Sequence, residues 1–137
     1  MILIDYNQIA LSNIIVQKLN DENMIRHMIL NSIRMYNKKY RDQYGQMVIC
    51  CDGMNTWRKQ YFPQYKAARK KNRDNQTDTD WPEIFRILNL VRDEIRENLP
   101  YKVIHLEGCE ADDVIGTLAL QTQEIGKDEP VKIISSD

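Results

Sequence analysis

No stretch of this chain is apolar for long enough to span a membrane. It also lacks the basic start and apolar run of a secretory leader, opening straight into Met1-Ile2-Leu3-Ile4-Asp5. Both absences lead to the expectation of a cytoplasmic protein with no membrane partner. Cysteine is scarce and odd in number: Cys50, Cys51 and Cys109, with no CxxC spacing. The expectation is reduced, buried thiols. A zinc site from Cys50, Cys109 and His105 is the weaker alternative. There is no P-loop, GxGxxG, GxSxG or HExxH, which removes the common signatures of nucleotide binding, serine hydrolysis and zinc proteolysis. Internal repeats and low-complexity tracts are missing too. Histidine occurs twice. His27 falls within a helical pattern, and His105 reads as a core or edge residue.

What is present is a foldable chain of 137 residues, 42% hydrophobic and 28% charged, long enough for one domain with a core. Its net charge of -1 conceals local patterning. Ile2-Leu3-Ile4 and Met47 to Cys51 are short apolar runs that read as buried strands, ending in Asp5 and Asp52. Ile9 to Leu19 is mixed and predicts a helical turn or two. Asn23 to about Gln43 predicts a long helix with Met24, Ile25, Met28, Ile29, Ser32, Ile33 and Tyr36 on one face and Gly45 past its end. Asp80 opens another helix, with Pro82 in the first turn, Glu83 at capping-box spacing, and a stripe of Ile84, Ile87, Leu88, Val91 and Ile95. Tyr101 to Leu106 predicts a third strand. Glu110 to about Ile125 predicts a helix with Val114, Ile115, Leu118 and Ala119 inward. Gly126 to Pro130 reads as a turn, and Val131 to Ser136 as a fourth strand ending in Asp137.

Helices between successive apolar strands imply an α/β fold, a mostly parallel sheet with helices on both faces. Sites in such sheets form outside the carboxyl ends of the strands. Those ends carry Asp5, Asp52 and Asp137, and the third strand leads into Glu110, Asp112 and Asp113. With 20 acidic residues in 137, acids at all three of the ends held by Asp5, Asp52 and Asp137 would arise by chance in under about 1% of cases. Any one of these acids has an ordinary explanation as a turn former, a cap or a partner of the helix dipole. The whole set on one rim points instead to oxygen ligands for a hard cation, Mg²⁺ or Mn²⁺, and to phosphoryl-transfer chemistry.

One absence is local. From Gly53 to Arg73 there is no acidic residue, but there are seven basic ones: Arg58, Lys59, Lys66, Arg69, Lys70, Lys71 and Arg73. Trp57, Tyr61, Phe62 and Tyr65 are interleaved. A solvated basic helix would have this composition, and Trp57 and Phe62 suit packing within it. Direct attachment to Asp52 favours a nucleic-acid contact, with cations on phosphates and aromatics on unpaired bases. Arg58, Lys66 and Arg69 could also steady a scissile phosphate, and Tyr65 could stack on a terminal base.

Leu3-Ile4-Asp5, then Cys51-Asp52-Gly53 with Trp57-Arg58 and Tyr65-Lys66-x-x-Arg69, then Glu110-Ala111-Asp112-Asp113, then Ile134-Ser135-Ser136-Asp137 resemble the ordered motifs of the 5′-nuclease superfamily. Its members are the flap endonucleases, the 5′-nuclease domains of bacterial DNA polymerases and the phage 5′-exonucleases. The resemblance is strongest to the RNase H branch of T4-like phages, with Ile29 to Ile33 adding to it. It implies a PIN-like core and removal of RNA primers and 5′ flaps during replication by 5′→3′ exonuclease and flap cleavage with two Mg²⁺, Mn²⁺ substituting. Asp5, Asp52 and Asp113 would be ligands of the first metal. Glu110 and Asp112 would complete its shell, and Asp137 matches the first aspartate of an S-S-D-x-D motif. Residues from about 53 to 80 would form an arch or bridge insert in which Arg58, Lys59, Tyr65, Lys66, Arg69, Lys70, Lys71 and Arg73 meet the 5′ strand.

The family pattern continues past Asp137 with another aspartate, a helix–three-turn–helix element and a further ligand. The chain therefore reads as the N-terminal part of such a domain, with the second metal site incomplete. Implied partners are DNA and RNA–DNA hybrids with 5′ ends or flaps, a single-stranded-DNA-binding protein or sliding clamp, and a C-terminal half supplied separately. A phage origin would put it in the host cytoplasm. Three other readings remain: a nucleic-acid-binding module without catalysis, a PIN-type ribonuclease, and a receiver-type signalling domain. The long basic insert disfavours the last two.

Overall fold

Two apolar runs of four and five residues, each buried along its whole length, form the middle of the sheet: β1 (Ile2–Asp5) and β2 (Met47–Cys51). Runs without polar alternation belong in strands covered on both faces. The computed structural model describes residues 1–54, 80–123 and 129–135. Within these, α1 (Tyr6–Gln17) and α2 (Glu22–Tyr44) connect β1 to β2. After β2 come α3 (Trp81–Asn98), β3 (Lys102–His105), α4 (Ala111–Thr122) and β4 (Lys132–Ile134). The sheet is parallel, in the order β3-β2-β1-β4. Both edge strands begin on a lysine, Lys102 and Lys132, a residue that discourages edge-to-edge pairing.

Alternate residues of each strand feed different cores. Ile2, Ile4, Met47, Ile49 and Cys51 meet Ile25, Ile29, Ile33, Ile87, Leu88, Val91 and Ile95, so α1, α2 and α3 cover one face. Leu3, Val48 and Cys50 meet Ala111, Val114 and Ile115 of α4 on the other. The path β1, β2, β3 steps one way across the sheet. It then returns over the opposite face to β4, as right-handed crossovers require. The direction of winding switches between β1 and β4, and a crevice opens at such a point on the carboxyl side.

The long helices follow the sequence pattern closely. All five residues of the α3 stripe are buried. Its cap is as expected, with Asp80 accepting from the Glu83 N–H at 3.1 Å, while the Glu83 carboxylate turns to Arg86. α2 is capped by Asp21 and ends at Gly45, whose φ of 89° suits glycine. Its Met24 is not inward but 52% exposed, since the adjacent Ile25, fully buried, takes the core-facing position of that turn. An Arg26–Glu94 fork, with both N···O distances 2.9 Å, ties α2 to α3.

The segment expected to hold only a turn or two is in fact the twelve-residue α1. Its buried residues Tyr6, Ala10 and Ile14 form a stripe, but Ile15 and Val16 point to solvent and blur it. Its end is set by Lys18 in the left-handed region, whose N–H reaches the Ile14 and Ile15 carbonyls. The turn expected at 126–130 lies mostly outside the described residues.

Candidate functional site

Asp5 is the last residue of β1 and also the N-cap of α1, its Oδ1 accepting the Gln8 N–H at 3.3 Å. It is only 5% exposed. The register pairs Asp5 with Cys50, so strand alternation sends both side chains to the α4 face. Asp52 lies two residues past Cys50, on the same face and open to solvent. Its Oδ1 accepts the Ala111 N–H at 2.8 Å, at the first residue of α4.

Glu110 is the N-cap of α4 and is 7% exposed. It forms a capping box with Asp113, whose Oδ2 accepts the Glu110 N–H at 3.0 Å. Asp112 is exposed and Asp113 half-buried. Asp5, Asp52, Glu110 and Asp113 thus lie along one rim, at the ends of β1 and β2 and the start of α4. Each of the four carboxylates also caps or braces a helix N-terminus, where the macrodipole stabilises negative charge.

Among the described residues, no three His, Cys, Asp or Glu side chains are gathered into a set that could hold a metal ion. Asp137 lies outside the described residues, as do Arg58, Lys59, Tyr65, Lys66, Arg69, Lys70, Lys71 and Arg73. The insert expected at about 53 to 80 is described only at its ends, Gly53 and Met54 on one side and Asp80 on the other.

The zinc alternative fails on strand alternation. Cys50 pairs with Ile104, and Cys51 with His105, so the Cys50 and His105 side chains leave opposite faces of the sheet. His105 meets Arg92 instead, with Nη1 3.4 Å from Nε2. A guanidinium can only donate, so Nε2 accepts and the ring proton sits on Nδ1. Burial, and then Arg92 and Arg96, hold the His105 pKa below its ordinary value. The Cys50 thiol is pushed up to about 12 by burial and then by the Asp5 charge. Cys51 is likewise pushed up to about 12, mainly by burial. Both are inert neutral thiols at ordinary pH.

Two polar residues of the rim, Asn7 and Gln8, do not stand out in the sequence. Asn7 Oδ1 accepts the Asp52 N–H at 3.0 Å. Across the β1–β4 crevice, Ser135 Oγ donates to Gln8 Oε1. A signal existed in the spacing Asp5-x-x-Gln8, which matches a helix start. It would have drawn α1 back to Tyr6 and placed Asn7 and Gln8 beside the acids.

The backbone closes the site. Gly53 N–H donates to the Cys109 carbonyl at 2.8 Å, and Gly108 N–H to the Met54 carbonyl at 2.9 Å. A Cβ on Gly53 would sit 1.9 Å from the Leu106 carbonyl oxygen, so only glycine fits this approach.

A family model for the N-terminal, resolvase-like domain of 5′-3′ exonucleases matches residues 1–137. The chain is 37% identical over 142 residues to the ribonuclease H of Enterobacteria phage T4, covering 98% of itself and 46% of that relative. It therefore spans less than half of that relative's length. A T5 5′-exonuclease structure with bound zinc ions shares the fold, with a TM-score of 0.72, 16% identity, and coverage of 100% of this chain and 49% of that one. A bacteriophage T5 flap endonuclease in a pseudo-enzyme-product complex with DNA and metal ions also shares it. There the TM-score is 0.67 and the identity 20%, covering 99% of this chain and 48% of that one.

Proposed function

This chain belongs to the 5′-3′ exonuclease N-terminal, resolvase-like family, and we propose that it forms the N-terminal part of a metal-dependent 5′-3′ nuclease. Its reaction is phosphodiester hydrolysis of the RNase H and flap-endonuclease type, on RNA primers and 5′ flaps in DNA replication. The observation that carries this reading is the placement of Asp5, Asp52, Glu110 and Asp113 along one rim of a parallel sheet, at the carboxyl ends of its central strands and the start of α4. The names of the relatives support it: a ribonuclease H, and a flap endonuclease described with DNA and metal ions.

An all-oxygen donor set suits a hard divalent cation in its chemistry. Asp5, Asp52, Glu110, Asp112, Asp113 and, outside the described residues, Asp137 are the groups that would hold Mg²⁺ or Mn²⁺. Such a cation supplies an acidified water and stabilises a leaving oxygen. The chain's own contribution is placement. Asp5 is fixed by burial between the strands, and Asp52 by hydrogen bonds to two neighbouring segments. Arg58, Lys66 and Arg69 would neutralise the 5′ strand near the cut, Lys59, Lys70, Lys71 and Arg73 would bind its phosphates, and Tyr65 would stack on a terminal base.

The test is cleavage of a 5′-flap DNA and an RNA–DNA hybrid with Mg²⁺ or Mn²⁺, lost on Asp52→Asn. No cleavage, even with a C-terminal half from the phage T4 relative supplied in trans, would overturn the reading. One observation favours a second reading, a nucleic-acid-binding module without catalysis: no three acids are grouped as ligands among the described residues. On that reading binding persists without divalent metal and falls steeply with salt, and removing Lys66, Arg69 and Lys70 together flattens the slope.

A further inference from the structure

We propose that Asn7 is a positioning residue for Asp52, acting with Gly53 as a clasp that sets where this carboxylate stands; the functional part of this inference rests on the rim being a cation site. Asp52 follows the last residue of β2, and it is exposed. Side-chain packing therefore does not fix it, and its hydrogen bonds must.

There are three such restraints. The first is the Asp52 N–H, which donates to Asn7 Oδ1 at 3.0 Å. A backbone N–H can only donate, so the amide oxygen must face it, and the Asn7 orientation is determined. Asn7 lies in the first turn of α1, two residues after Asp5. One side chain therefore couples the ends of β1 and β2, and with them two of the rim acids.

The second restraint is Gly53. Its N–H bonds the Cys109 carbonyl at 2.8 Å, and its missing side chain lets the backbone lie against Leu106. The third is the carboxylate itself, held at 2.8 Å by the Ala111 N–H. Asn7 and Gly53 control the backbone on either side of that carboxylate, and Ala111 reports where it ends up.

A ligand group must be held within about 0.5 Å to be productive, and losing an outer partner of a metal ligand typically costs about 10–100-fold in affinity. Asn7 is neither a ligand nor a helix former of note. Its contribution is the one bond to Asp52.

The experiment uses amide hydrogen exchange and Mn²⁺ titration on the 137-residue chain. In the metal-free chain, Asn7→Ala should speed exchange at Asp52 and Ala111 about tenfold, while β1 and the rest of α4 stay protected. Asn7→Asp keeps an acceptor at the same reach and should restore both amides. Asn7→Gln keeps the polarity but displaces the oxygen by one methylene, and should behave like Asn7→Ala. Mn²⁺ affinity should fall about tenfold in Asn7→Ala and Asn7→Gln.

Wild-type exchange at Ala111 in both of those variants would overturn the clasp, with or without metal. Unchanged Mn²⁺ affinity alongside a displaced Ala111 amide would overturn the positioning role. If the wild-type chain binds no Mn²⁺, the positioning role and the cation reading fail together, and the clasp still stands or falls on the Ala111 amide.

Discussion

Asp52 Oδ1 accepts the Ala111 N–H at 2.8 Å, so the carboxylate that ends the second strand also braces the first turn of the last helix. The same atom is claimed by structure and by the proposed chemistry. Asp52→Asn keeps an acceptor and removes the charge. It should leave the thermal midpoint of unfolding close to wild type while removing divalent-cation binding. Asp52→Ala removes both, and should cost about 1 kcal/mol of stability as a lost helix-end contact. Equal stability losses in the two variants, by urea titration, would show that the charge rather than the bond supports α4.

Tyr6 is buried at the start of α1, and its hydroxyl donates to the Leu88 carbonyl of α3 at 2.5 Å. Burial is also what drives its pKa well above the ordinary phenol value. Tyr6→Phe should cost about 1 kcal/mol, the net worth of one internal hydrogen bond, with an unchanged denaturant slope. A neutral substitution would mean that the two helices are held by apolar packing alone.

Cys50 and Cys51 are buried, and their thiols are pushed up to about 12. At pH 8 a disulfide reagent should label half-buried Cys109 first, and reach the other two only as the chain opens. The folded state holds these two protons more tightly than the unfolded chain, whose thiols titrate near 9. Their contribution to stability is whole below pH 9 and is lost as pH rises towards 12. Equal labelling rates for all three cysteines in native buffer would contradict the packing of β2.

His105 titrates below its ordinary 6.5, held down first by burial and then by Arg92 and Arg96. The unfolded chain takes up this proton more readily, so stability should decline as pH falls through 6.5. His105→Gln should flatten that part of the stability–pH curve. A curve unchanged by the substitution would mean that His105 does not contribute to this pH dependence.

Much of this architecture is legible in residue order, for identifiable reasons. The α3 stripe of Ile84, Ile87, Leu88, Val91 and Ile95 has one period and one face, so packing and sequence agree. The central strands are continuous apolar runs because both faces are covered. α1 is harder to see because Ile15 and Val16 are spent on solvent.

The acids Asp5, Asp52, Glu110 and Asp113 were visible as a rim, and capping was open to each of them, but the N–H each one accepts was not. That depends on where each helix begins, to the residue. The clasp could not be read at all, since Gly53 meets Leu106 and Cys109 backbone to backbone and leaves no side-chain pattern. Nor could Asn7, whose single bond crosses from α1 to the end of β2.

The rim proposed here as a divalent-cation site can be probed in solution. Mn²⁺ added to the isotopically labelled 137-residue chain, followed by amide paramagnetic broadening, tests it directly. Saturable broadening should be confined to residues near Asp5, Asp52 and Glu110 to Asp113, and abolished in the Asp5→Asn, Asp52→Asn double variant. No saturable broadening, or broadening centred elsewhere and indifferent to that variant, would contradict the proposed cation site.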